Sequence, residues 1–411
     1  MLPVAILAQA ATSPGQTYGV SIFNPSFQET LGISLSQLTG TYMIGTLMAA
    51  VPQPYIGGLM DRFGIRRTMT GVVLLLGAAC IYTATVQSLW MLLIAFFLLR
   101  MFGQGALTLL ANNVPAMWFQ TRLGRVAGMM NIGVAATIAI IPPMILWLIT
   151  QFDWRWAYVF LGIAVWVILL PILMLLFRNR PEDVGQTLDG LSFSLQTATP
   201  NPLPVLSKPH ADETAISFDL KAAQRTRAYW IMMATQTLWA MIATAIFFNL
   251  LPLFTSKGLT TAQAAATYTT LAIATAITQL IAGALADRAP LNWLLSLSLF
   301  SLIGSISIIL FGSPIWLGTA YAILMGMTQG FGGVVGGTLW ARYYGREHLG
   351  KIRGSIFTAG VAGSSIGPFI MGLIYDNTGG YQLSLWLFIA MIIPVAFAAF
   401  WATPPTSRKL T

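Results

Sequence analysis

Gly57-Gly58-Leu59-Met60-Asp61-Arg62-Phe63-Gly64-Ile65-Arg66-Arg67 is a short charged link between two long apolar blocks, and its reading decides the fold. An acid and three arginines cannot sit together inside hydrocarbon, so the stretch marks a membrane edge. A shift of 226 residues lays Gly57, Asp61 and Arg62 on Gly283, Asp287 and Arg288. The same shift lays Leu123-Gly124-Arg125-Val126-Ala127-Gly128 on Leu349-Gly350-Lys351-Ile352-Arg353-Gly354, and Gly32, Thr41 and Tyr42 on Gly258, Thr267 and Tyr268. One offset satisfying three separate regions is an internal repeat: two halves of common origin, related by an axis along the membrane normal.

The blocks around the link settle the solvent. Of 411 residues, 56% are apolar and only 8% charged, against about 25% charged in soluble domains. The apolar residues come in runs of about twenty or more, the length a bilayer requires. The runs predict twelve transmembrane helices: 3–28, 36–60, 68–87, 90–117, 125–149, 157–177, 228–254, 261–286, 291–311, 314–341, 352–375 and 382–402. The fold class is therefore all-α and polytopic, with two pseudo-symmetric six-helix bundles. The expected domains are 1–177, a linker at 178–227, and 228–411. The linker holds twelve charges and the run Ala198-Thr199-Pro200-Asn201-Pro202-Leu203-Pro204, a composition that cannot bury enough surface to fold alone. Its end, Phe218 to Trp230, reads as an amphipathic segment at the membrane surface. Met1-Leu2-Pro3-Val4 enters the first span with no basic lead-in or cleavage site, unlike a signal peptide.

The net charge of +9 does not point to nucleic acid, because the basic residues stand between apolar blocks. With the linker in the cytoplasm, 18 of the 21 Lys and Arg fall on that side and only Arg155 and Lys257 on the other. This split obeys the positive-inside rule and puts both termini in the cytoplasm of a cell-membrane protein. Cys80 is the lone cysteine, so no intramolecular disulfide can form.

The link at 57–67, placed between spans 2 and 3, resembles the signature of the major facilitator superfamily. Arg100-Met101-Phe102-Gly103-Gln104-Gly105 is similar to that family's span 4 motif. Within the family, Tyr18-Gly19-Val20-Ser21-Ile22-Phe23-Asn24-Pro25 and Trp118-Phe119-Gln120-Thr121-Arg122 look like the monocarboxylate and oxalate/formate branch, as does the approach to span 7. Members of that branch usually carry a basic residue in span 8 and some a Lys in span 11; the nearest positions here are Gln279 and Gly360. The resemblance implies alternating access, a cavity lined by spans 1, 4, 7 and 10, and a latch at Asp61 and Arg62, with Arg66, Asp287 and Arg288 beside it, that breaks when the protein opens inward.

Arg100 is the charge that falls well inside a span, about ten residues or roughly 15 Å past Trp90. A cation at that depth costs about 2.5 to 3.5 kcal/mol on insertion scales. It either holds an anionic substrate or ties backbone carbonyls between helices, and Gln104 shares its face. Ser13-Pro14-Gly15-Gln16 interrupts span 1 at its centre and frees carbonyls near residues 10 to 12, either as a packing kink or as a mark of a binding site. Gln16, Tyr18, Gln236, Trp239, Gln279 and Gln329 complete the expected substrate-binding set. Gly332, Gly333, Gly336, Gly337, Gly363 and Gly367 are expected to let helices approach and slide.

An enzyme is excluded by the lack of chemistry: His210 and His348 fall in loops, no span interior holds an acid, and no metal or phosphate motif is present. No cofactor is expected. The partners are a small-molecule substrate and the lipid bilayer, with a monomer expected. The reading is a secondary transporter of a small organic anion, a monocarboxylate or small dicarboxylate; the alternative is export of a neutral or amphipathic molecule with Arg100 structural. Glu29, Asp153 and Asp376 lie at the outer edge, so exchange or uniport is expected rather than coupling through a buried carboxylate.

Overall fold

The computed structural model describes residues 1–119, 123–179, 185, 218–286, 288–344 and 349–405. Among them every regular element is helical. The spans cover, in order, 2–31, 35–63, 65–84, 89–118, 123–152, 154–175, 227–255, 261–286, 291–311, 314–344, 349–378 and 382–399. Nine helices among the described residues are long and apolar enough to cross a membrane. Spans 1 and 2 are broken into shorter pieces, and span 10, Pro314–Tyr344, is long but glycine-rich. Large apolar side chains such as Ile315, Trp90 and Leu280 are exposed on the outside, as lipid solvation favours.

The repeat extends to individual hydrogen bonds. Leu123–Phe152 and Leu349–Thr378 begin and end 226 residues apart. Spans 2 and 8 open with the same capping box: the Ser34 amide donates to Gln37 Oε1 at 2.9 Å and the Gln37 amide to Ser34 Oγ at 3.2 Å, and Thr260 and Gln263 repeat both bonds at the same distances. Before each box the chain turns through a left-handed glycine, Gly32 at φ 61° and Gly258 at φ 93°, a conformation that disfavours any Cβ. Arg66 donates to the carbonyls of Leu173, at 3.0 Å, and Met174, tying off span 6. At the repeat-related position Asn292 donates to the Phe400 carbonyl of span 12 at 2.6 Å. Arg155 and Lys257, the two cations assigned to the opposite side, donate to the repeat-related carbonyls Ala84 and Leu310 at 2.7 and 3.3 Å. Each satisfies the orphan acceptors at a helix C-terminus, where positive charge is favoured.

The chain divides into two compact units. The first comprises Met1–Gln16, Met48–Thr137 and Leu148–Ala215; the second comprises Thr17–Leu47, Ile138–Trp147 and Ile216–Thr411. Within the second unit, residues 17–47 are fastened to spans 7, 8 and 11. Asn24 Nδ2 donates to the Phe248 carbonyl at 2.6 Å, Ser21 and Tyr268 share a hydrogen bond of 3.1 Å, and Asp376 accepts from the Ser36 amide at 2.8 Å.

The segment from Phe218 to Trp230 begins against the end of span 10. Phe218 is buried against Tyr344, ring centroids 5.7 Å apart, and its amide donates to the Tyr344 carbonyl at 3.1 Å. A five-residue helix, Leu220–Gln224, follows, and span 7 starts at Arg227. An aromatic pair and a backbone bond therefore hold the start of this segment at the end of span 10. Most of the expected linker, together with His210, Asp287, His348 and the tail beyond residue 405, lies outside the described residues.

Candidate functional site

Two polar clusters form inside the helical mass, one in each unit. In the first unit, span 1 stops as an α-helix at Ala10 and passes through a 3-10 turn, Ser13–Gly15. Pro14 supplies no backbone donor. The hydroxyl of Thr12 donates to the Gln9 carbonyl at 2.7 Å and that of Ser13 to the Ala10 carbonyl at 2.5 Å. Carbonyls at the break that the sequence reading left free are thus partly met locally, because short hydroxyl side chains fold back onto the preceding turn.

The acceptor that reaches farther is the carbonyl of Gly15. Arg100, 3% exposed, donates to it from Nη1 at 3.1 Å. Arg100 opens a π-helical segment, Arg100–Leu107, in span 4, a widened turn of the kind found at functional sites. Backbones touch at this crossing: a Cβ on Gly103 would lie 2.9 Å from the Gly15 Cα, and one on Gly15 would collide with the Leu99 carbonyl. Gln16 Nε2 bridges Thr12 Oγ1 at 3.0 Å and Thr108 Oγ1 at 3.1 Å. Gln53, absent from the expected set, donates to the Met101 carbonyl at 3.2 Å inside the widened turn. No motif or charge in the sequence marked Gln53. Gln104 is half-buried, its Oε1 buried with no donor among the described residues.

In the second unit, spans 7, 8, 9, 10 and 11 enclose a cavity of about 700 Å³, within the range of small-molecule sites. Gln236, Trp239, Gln279 and Gln329, four of the eight expected substrate-binding residues, line it together. The indole Nε1 of Trp239 is buried and has no acceptor among the described residues. Close helix contacts frame the opening. On span 11, Gly363 and Gly367 sit against the Thr237 and Met241 carbonyls of span 7; on span 10, Gly326 and Gly330 sit against Ala274 and Thr278 of span 8. Gly332, Gly333 and Gly336 do something else: they line the cavity. A Cβ on Gly336 would meet nothing within 4 Å. These glycines, expected to bring helices together, instead leave space. The Gly337 side position is outside the described residues.

Arg353 also lines the cavity and is exposed. In the sequence it is one of the 18 cations on the cytoplasmic side of the charge split, where its position four residues into a span gives no sign of a cavity wall. Tyr18 belongs to the second unit, on the short helix Thr17–Val20. Of the expected latch, Arg62 is exposed with its guanidinium 5.3 Å from the Phe63 ring, Arg66 caps span 6, and Arg288 is exposed. The side chain of Asp61 lies outside the described residues.

A family model of the major facilitator superfamily matches residues 6–304 and 241–411. The chain belongs to the major facilitator superfamily. It is similar to the probable sulfoacetate transporter SauU of Cupriavidus necator, 23% identical over 94% of this chain and 89% of that one. It is also similar to the uncharacterized transporter YybO of Bacillus subtilis, 24% identical over 40% of this chain and 37% of that one. Among solved structures, a bacterial homolog of the human lysosomal transporter Spinster, in an inward-facing and occupied conformation, superposes with a TM-score of 0.72 at 15% identity, covering 98% of this chain and 96% of that one. This member of the superfamily is a multi-span membrane transporter and not an enzyme.

Proposed function

We propose that the protein transports a small organic anion, a monocarboxylate or small dicarboxylate, across the cell membrane by alternating access. The observation that carries this reading is the chemistry of the cavity wall. It offers three amides and the guanidinium of Arg353, and no carboxylate among its described residues. Such a wall donates hydrogen bonds and positive charge, which a carboxylate or sulfonate accepts. The relationship to a probable sulfoacetate transporter supports the same substrate class.

In this proposal Gln236, Trp239, Gln279 and Gln329 contact the substrate, with Gln16, Tyr18 and Gln104 contributing from the span 1 and span 4 region. Arg100 holds the break in span 1 through the Gly15 carbonyl and adds a positive field there. Residues 1–177 and 228–411 rock about the site, with 178–227 as a cytoplasmic linker and both termini in the cytoplasm. Asp61, Arg62, Arg66, Asp287 and Arg288 act at the cytoplasmic end, and the bonds of Asn24, Ser21 and Asp376 close the opposite one. The protein works as a monomer in the bilayer by exchange or uniport, since Glu29, Asp153 and Asp376 are all exposed and none is a buried acid poised to carry a proton.

A second reading, a neutral solute with Arg100 purely structural, is favoured by one observation: Arg100 is buried and bonded to Gly15. A thermal-shift screen of purified protein against sulfoacetate, oxalate, formate and lactate, beside neutral amides and alcohols, separates the two. Stabilisation by acids is expected; stabilisation by neutral compounds alone would overturn the anion reading. Cysteine labelling of the 178–227 segment from outside intact cells is expected to fail.

A further inference from the structure

We propose that Arg353 is the loading residue of the cavity: a guanidinium at its mouth that captures the acid group before the amide tier receives it. This rests on the organic-anion reading above and extends it to a route.

The cavity is elongated, and its polar groups are sorted along it. On span 10 the lining runs from Gln329 to Trp340, eleven residues or roughly 16 Å at 1.5 Å per residue. Trp340 is four residues from the end of span 10 at Tyr344, and Arg353 is four residues into span 11, which starts at Leu349. Both therefore belong to the end where those spans are joined. The amides belong to the other end. A Cβ on Gly360 would lie 3.7 Å from Gln236 Cγ, so Gln236 stands level with Gly360, about 10 Å deeper along span 11 than Arg353. Side chains on a helix lean toward its N-terminus, which carries the guanidinium farther toward the mouth. Arg353 and the amide tier are thus two successive stations, too far apart to grip one small acid at once.

The cation is available for this work. Arg66, Arg155, Lys257 and Arg342 each donate to a backbone carbonyl at a helix end. Arg353 makes no hydrogen bond or ion pair among the described residues, although it lines the cavity with Trp340 and Ile356 beside it. A guanidinium in a cleft with apolar walls attracts an anion more strongly than the same group in open water. The repeat offers no copy of it, since the position 226 residues earlier is Ala127. The amide tier then accepts the acid through neutral donors, which hold it loosely enough to release it.

The test uses the full chain in proteoliposomes, with sulfoacetate, oxalate, formate and lactate as probes and exchange kinetics as the readout. Arg353→Gln is expected to raise the KM for the transported acid about tenfold at low ionic strength, with the maximal rate kept. That gap should close at high salt, because the capture is electrostatic. Arg353→Lys is expected to stay within about twofold of wild type, since it keeps the charge that attracts the acid. An unchanged KM in Arg353→Gln at low salt, or a lysine variant as defective as the glutamine one, would overturn the proposal while leaving the transport reading intact. Should the glutamine variant not assemble, the wild-type protein decides: a KM that does not rise with salt overturns it. A wild type that carries none of the four acids overturns the organic-anion reading itself.

Discussion

The crossing of spans 1 and 4 and the cavity among spans 7 to 11 are built from similar materials and do opposite things with them. At the crossing, glycine permits contact: Gly15 and Gly103 bring two backbones together, and Arg100 and Gln16 turn inward to bond the Gly15 carbonyl and the Thr108 hydroxyl. In the cavity, glycine permits space: Gly332, Gly333 and Gly336 line an opening, together with three glutamines. An intramembrane polar group must be satisfied by protein or face a polar cavity. The first unit turns Arg100 and Gln16 onto its own carbonyl and hydroxyl acceptors, whereas the second lines an opening with amides. The repeat supplied one scaffold, and divergence put a fastening in one half and a glutamine-lined cavity in the other.

Substitutions at glycine should break that comparison most sharply. Gly15→Ala places a Cβ on the Leu99 carbonyl, where neither backbone can yield, and it should cost at least the 1–3 kcal/mol typical of overpacking. Gly336→Ala should leave the melting temperature within error, because nothing lies within reach of the new methyl. Equal losses in a detergent thermal-unfolding assay would erase the distinction between contact glycines and space glycines.

The polar groups give the next largest effect. Arg100→Gln removes a charge-assisted donor from a buried carbonyl, at a cost of about 1.5–3 kcal/mol in stability. Gln279→Ala should change stability by less than about 0.5 kcal/mol, yet weaken binding of the transported acid about tenfold, the equivalent of about 1.4 kcal/mol. The pair is read by melting and by ligand-induced shift on the same samples. If Gln279→Ala destabilised and Arg100→Gln only weakened binding, the roles assigned to the two regions would have to be exchanged.

A smaller effect tests the symmetry behind the comparison. Arg66 and Asn292 tie off spans 6 and 12 at repeat-related positions, so Arg66→Ala and Asn292→Ala should each lose about 1 kcal/mol, measured as shifts in melting temperature. A loss confined to one of them would mean that only one cap survived divergence. The smallest expected effect is at Asp376, an exposed carboxylate that accepts from the Ser36 amide. Asp376→Asn keeps a neutral acceptor and should leave stability within about 0.5 kcal/mol, while shifting the accessibility of a cysteine placed at residue 24.

Which of these features could be read without coordinates follows from what each depends on. Spans, repeat and superfamily rest on local composition and on spacing along the chain, so the link at 57–67 and its copy at 283–288 were enough to predict a twelve-span fold with internal symmetry. The gathering of Gln236, Trp239, Gln279 and Gln329 was expected from their depth within each span together with the superfamily resemblance, which implies a cavity lined by spans 1, 4, 7 and 10. Other features depend on a partner distant in sequence. The π-turn at Arg100–Leu107 and the Gln53 bond within it, the carbonyl that Arg100 chooses, and the burial of Phe218 against Tyr344 are fixed by which helix lies alongside which. So too are the split of the glycines into contacts and spaces and the place of Arg353 on a cavity wall. A hydrophobic period states that a helix has an inside. Only the packed neighbours determine whether that inside meets a backbone, as at Gly15, or an opening, as at Gly336, because a missing Cβ permits close approach and empty volume equally well.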